Sequence, residues 1–141
     1  MKSKYKKRIS ILLVIIWMLL IFIMSSFNST ESNNQSNFII DIIANLFNIN
    51  NIDTLNLIIR KLAHFTEYFI LGVLVYNMTY NYNKKTFIAI IICVLYAISD
   101  EFHQMIVPGR SCQLLDITID SSGSITGIYI IKTFINNFKK T

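Results

Sequence analysis

A chain of 141 residues that is 53% hydrophobic and only 15% charged, with a single proline, is one domain and too apolar for an ordinary soluble fold. Its net charge of +5 raises nucleic acid as a partner, but the basic residues gather at the ends of apolar segments and form no aromatic-interleaved patch, so none is expected. The expectation is an all-α integral membrane bundle forming one domain over residues 1–141. Its spanning helices fall at about 9–27, 58–80, 86–107 and 113–135, each near the roughly 20 residues that a bilayer requires.

The first apolar run, Ile9 to Met24, follows the basic stretch MKSKYKKR and precedes Ser25-Ser26. This resembles a signal peptide with small residues at its cleavage site. An uncleaved helix is the reading adopted here, because the apolar run is long and three further spans would otherwise orient without the basic N-terminus. Asn28 to Asn37 is polar and reads as an external loop. From Phe38, apolar Ile39, Ile42, Ile43, Leu46 and Phe47 recur at helical spacing while Asp41, Asn45 and Asn48 take another face. That pattern predicts a short amphipathic helix on the membrane surface.

The second span begins near Leu55, capped by Asp53 or Thr54, and carries RKLAHFTEYFILG. Arg60, His64 and Glu67 lie at i, i+4, i+7, so one face of this helix is polar where lipid would reject it. The bland account is a ladder of charges that pins the helix to its neighbours. Asn77 to Lys85 makes a short cytoplasmic turn, and the third span then climbs to YAISDEFHQMIVPGR. There Tyr96, Asp100, His103 and Val107 share a face with Gln104 beside it, while Glu101 points about 100° away from Asp100. Pro108-Gly109 is the stop signal. In the fourth span Asp116, Asp120, Gly123 and Gly127 follow i, i+4, i+7, i+11, setting two acids above a small-xxx-small seam. Cys93 and Cys112 are not expected to form a disulfide, and neither has a metal-type spacing partner.

Charge sets the orientation. With the N- and C-termini cytoplasmic, ten of the thirteen basic residues fall inside, leaving Arg60, Lys61 and Arg110 outside. All eight acids then fall on the external side or in the outer half of a helix. The expected location is the cell membrane, as a multi-pass protein.

These blocks, in order, resemble the VanZ-like family of small bacterial membrane proteins: Ser25-Ser26, RKLAHFTEYFILG at Arg60 to Gly72, YAISDEFHQ at Tyr96 to Gln104, Pro108 to Arg110, and DITIDSSGSITG at Asp116 to Gly127. One departure is Asp120, where the family pattern more often has Asn. The resemblance implies an association with resistance to glycopeptide antibiotics, above all teicoplanin, in Gram-positive bacteria, without implying a settled reaction. Membrane lipids, the antibiotic itself or a lipid-linked cell-wall precursor are the partners it suggests.

The candidate binding residues are Arg60, His64, Glu67, Asp100, Glu101, His103, Gln104, Arg110, Asp116 and Asp120. Weighing Arg60, Lys61 and Arg110 against Glu67, Asp100, Glu101, Asp116 and Asp120 leaves two negative charges uncompensated. Protonated His64 and His103 would cancel them. So would a divalent cation, since His64-x-x-Glu67 and Asp100-x-x-His103 place two His/carboxylate pairs at i, i+3, a spacing used in metal-binding bundles. His64, Glu67, Asp100 and His103 are therefore the candidates both for metal binding and for acid–base catalysis. A structural salt-bridge network competes with both. Two function classes follow: a binder of a head group or antibiotic, and an enzyme acting on a lipid-linked envelope substrate. No serine-nucleophile elbow, phosphate loop or zinc-protease motif is present. Transport is disfavoured because the polar groups do not cross the membrane.

Overall fold

The computed structural model describes residues 2–27, 40, 42, 46, 51–80 and 82–138. Four long helices account for nearly all of them: α1 (Lys2–Ser25), α2 (Ile52–Met78), α3 (Lys85–Gln104) and α4 (Leu114–Phe138). No strand occurs among the described residues. The amphipathic helix expected over residues 38–48 lies outside the described residues apart from Ile40, Ile42 and Leu46.

Three stretches are long and apolar enough to cross a membrane: Lys7–Ser25, Lys85–Gln104 and Leu114–Phe138. Helix α2 is the longest of the four, and its apolar run is interrupted by Asp53, Arg60, Lys61 and Glu67. It is also the central helix, packed most closely on α4 and touching α1 and α3 as well.

Burial in this bundle runs opposite to that of a soluble protein. Leu12, Leu19, Ile23, Leu62, Phe87, Leu95, Phe102, Ile130 and Phe134 are exposed, whereas Ser25, Asp100, Glu101, Gln104, Asp120 and Ser124 are buried. Exposed apolar surface around a partly polar interior is costly in water and favourable in lipid, so the protein is a membrane protein. The apolar interior is a column of Val14, Ile21, Tyr68, Leu71, Val75, Tyr76, Ala89, Cys93, Ala97 and Ile128.

The α2–α4 contact explains the glycines. A Cβ added at Gly123 would run into the Phe65 backbone carbonyl, one at Gly127 into the Phe69 carbonyl, and one at Gly72 into the backbone of Ser124. The seam expected from Gly123 and Gly127 is therefore real, and Gly72 on α2 answers it from the other side. In lipid, where the hydrophobic effect does not drive helices together, this close backbone approach supplies dispersion contacts that larger residues would prevent.

Helix α1 is tied on by two side-chain bonds to backbone carbonyls. Trp17 Nε1 donates to the Glu67 carbonyl at 2.9 Å, and the Tyr96 hydroxyl donates to the Met18 carbonyl at 2.6 Å. Both donors would otherwise be unsatisfied beside lipid. Helix boundaries differ modestly from the sequence reading. α2 starts at Ile52, where the Asn51 side chain accepts from the Thr54 amide. α3 ends at Gln104, four residues before Pro108, because i+3 bonds from Ile106 to His103 and from Val107 to Gln104 tighten the chain first. Gly109, at φ 77°, then completes the reversal in a conformation that favours glycine.

A polar cavity over a buried acid cluster

The candidate site is where the C-terminal end of α3, the N-terminal part of α4 and the first half of α2 converge. Its centre is Asp100, which is only 3% exposed. Oδ1 of Asp100 accepts from the Ser25 hydroxyl at 2.7 Å, and Oδ2 accepts from Gln104 Nε2 at 3.2 Å. Gln104 passes the chain on, its Oε1 accepting from an Arg110 guanidinium nitrogen at 3.1 Å. A run of hydrogen bonds thus links α1, α3 and the turn after α3. Each partner satisfies a group that would be expensive to bury alone.

Glu101, fully buried, turns to another neighbour, as its angle from Asp100 required. Oε2 accepts from the Gln113 backbone amide at 2.9 Å, so it braces the entry to α4, while Oε1 is buried without a hydrogen-bond partner. On α4, Asp116 takes Lys61 of α2 at 2.6 Å. One turn deeper, Asp120 is fully buried and neither of its oxygens has a hydrogen-bond partner. His64 approaches it, with Nδ1 at 3.6 Å from Oδ1, too long for a hydrogen bond. The Tyr68 hydroxyl is likewise buried, within the field of the Asp100 and Asp120 carboxylates.

Above this cluster lies a polar cavity of about 80 Å³ lined by Arg60, His64, Gln104, Gly109, Arg110, Ser111, Gln113 and Asp116. At about 30 Å³ per water it has room for two or three waters, or for one compact polar group. Arg110 is half-buried there. Burial, with the nearby Arg60 charge, pushes its guanidinium below the ordinary value, and Asp100 and Glu101 draw it back up.

Of the ten residues expected at the site, Arg60, His64, Gln104, Arg110 and Asp116 line the cavity, and Asp100, Glu101 and Asp120 lie in the supporting cluster. Glu67 is within electrostatic reach of Asp100 and Arg110. His103 stands apart. Its ring stacks on Phe22 of α1 at a centroid distance of 4.2 Å, and it does not line the cavity. The i, i+3 pairings expected along single helices give way to pairings between helices: His64 faces Asp120 of α4 instead of Glu67. Among the described residues no three His, Cys, Asp or Glu side chains form a group that could hold a metal ion.

Three residues outside the ten expected at the site hold its acids. Ser25, Lys61 and Gln113 hold Asp100, Asp116 and Glu101 respectively. Ser25 had a signal, a small polar residue closing an apolar run, and Lys61 had its charge. Gln113 acts through a backbone amide, which carries no mark in the sequence.

No curated protein and no solved structure matches the chain. The family model described as VanZ/LLP1 matches residues 10–135, nearly the whole chain, and the protein belongs to this VanZ-like family.

Proposed function

We propose that the protein is a four-span component of the cell membrane with both termini cytoplasmic, α2 being the fourth span. In this reading the polar cavity opens outward and engages the head group of a membrane lipid or a glycopeptide antibiotic at the outer leaflet. Sequestering the drug there would lower its concentration at the cell-wall target, the association with teicoplanin resistance that the VanZ-like resemblance implies. The observation that carries the proposal is a small cavity with two arginines, a histidine and an aspartate, set at one end of a bundle whose helices expose many large apolar side chains. A site of that kind fixes an amphiphile: polar groups orient the head while the tail stays in lipid.

A second reading has its own observation. His64 lines the cavity with the buried Asp120 behind it, the order of groups in which a carboxylate orients an imidazole for proton transfer to a lipid-linked envelope substrate. Envelope analysis separates the two. Lipids and muropeptides are compared in cells with the gene, without it, and with His64→Ala. The binder predicts unchanged envelope chemistry, together with drug retention on the purified protein that His64→Ala abolishes. A modified lipid that disappears in His64→Ala would establish the enzyme and overturn the binder.

A further inference from the structure

The cavity has more hydrogen-bond donors than the protein uses. Arg60 has no hydrogen-bond or ion-pair partner among the described residues, although it forms part of the lining. Arg110 gives one terminal nitrogen to Gln104, while its Nε is buried with no acceptor. Ser111 brings a hydroxyl to the lining just ahead of α4, where Gln113 Nε2 donates to it at 3.4 Å and the Gln113 backbone amide is taken by Glu101. The N-terminus of that 25-residue helix adds partial positive charge at the same place. Of the acids near these groups, Asp116 is held by Lys61, Asp100 by Ser25 and Gln104, and one oxygen of Glu101 by the Gln113 backbone amide; the other Glu101 oxygen has no hydrogen-bond partner, and Glu67 lies within electrostatic reach of Arg110.

Two adjacent guanidiniums repel each other unless an anion sits between them, and a buried Nε without an acceptor calls for one. We infer that the cavity holds a phosphate group, gripped by Arg60 and Arg110 at the mouth of α4. This rests on the reading of the cavity as a head-group site and names the chemical group it takes. The volume of about 80 Å³ admits one phosphate and little more. The rest of the ligand then lies outside the cavity, as the glycerol and tails of a phospholipid would, or is missing, as in free phosphate. Guanidinium geometry favours this assignment, since planar forked donors match phosphate oxygens in pairs.

The test uses the full chain in phosphate-free maltoside micelles, with lipid adducts counted by native mass spectrometry. Three probes with the same acyl chains are offered: phosphatidic acid, its diacylglycerol and a glucosyl diacylglycerol. Phosphatidic acid should be retained over both others. Arg60→Gln and Arg110→Gln should each cut that retention about tenfold or more, with Arg110→Lys intermediate. A shift in the phosphorus NMR signal of inorganic phosphate, lost in Arg110→Gln, would identify free phosphate as a sufficient ligand; its absence, with phosphatidic acid still retained, would assign the site to the lipid form. Arg110→Lys preserves charge and serves as the folded control should Arg110→Gln unfold.

Equal retention of phosphatidic acid and diacylglycerol, or arginine variants that bind like the parent, would overturn the phosphate assignment. If the glycolipid is preferred and His64→Ala abolishes its retention, phosphate is wrong while the head-group site stands. If no probe responds to any of these substitutions, both fall.

Discussion

At the level of single residues, the buried acids are not equivalent, and their partners say how each will respond to substitution. Asp100 accepts from Ser25 and Gln104, so Ser25→Ala leaves a buried carboxylate oxygen unpaired and is expected to cost about 1–3 kcal/mol. Asp100→Asn turns an amide nitrogen toward one of two donors and should cost a similar amount. Asp120 has no hydrogen bond to lose and lies fully buried. An amide is no more costly to bury there than a carboxyl group that no hydrogen bond supports, so Asp120→Asn is expected to leave the unfolding temperature unchanged or raised. Thermal unfolding of the parent and the three variants in detergent checks the order; a loss at Asp120→Asn equal to that at Asp100→Asn would contradict it. Arg60, His64, Asp100, Glu101, Asp116 and Asp120 are legible in the sequence because an acid, arginine or histidine inside an apolar run is too costly in lipid to stand there without a polar partner. The cross-helix pairings are not legible. Helical spacing shows which residues share a face, but not which face of the next helix they meet, so the sequence sets His64 beside Glu67 while the fold sets it beside Asp120.

At the level of helices, close packing of α2 on α4 is what brings His64 to Asp120 and Lys61 to Asp116. The seam glycines keep that distance short. Gly123→Ala and Gly127→Ala push a methyl into the backbone carbonyls of Phe65 and Phe69, which cannot swing aside as a side chain can. Each is expected to cost about 1–3 kcal/mol and to weaken any ligand retention in the cavity, because the α2 and α4 walls separate together. Unfolding temperature and lipid retention on the same preparations test this; a destabilised Gly127→Ala that binds like the parent would show the cavity to be independent of the seam. The glycine pattern on α4 announces this seam, while Gly72 is hidden in the apolar run of α2. The sequence places the end of α3 too late, because proline and glycine mark where a helix must stop and not where local i+3 bonds tighten it beforehand.

Taken whole, the molecule is chemically polarised along the bundle. The acid cluster and cavity lie where α3 ends and α4 begins, and the opposite end is basic and aromatic. There Lys85 lies over the Tyr76 and Tyr80 rings at 5.2 and 4.5 Å, and Lys7 lies over Tyr82 at 5.4 Å. Amphipathic lysines and tyrosines suit the membrane–water boundary, and cations favour the cytoplasmic one. The orientation proposed above is consistent with this, and the two cysteines report on it. Cys112, partly exposed on the turn before α4, should react with a membrane-impermeant maleimide added to intact cells, whereas Cys93, buried in the bundle, should not. Labelling of Cys112 only after the cells are opened would invert the topology.

We propose the cavity at that end as the working part of the protein. Glycopeptide susceptibility in cells making equal amounts of membrane-inserted parent, His64→Ala and Arg110→Gln tests it most directly. The parent is expected to raise resistance to teicoplanin and both variants to return it to the level of cells lacking the gene. Full resistance in both variants would contradict the account.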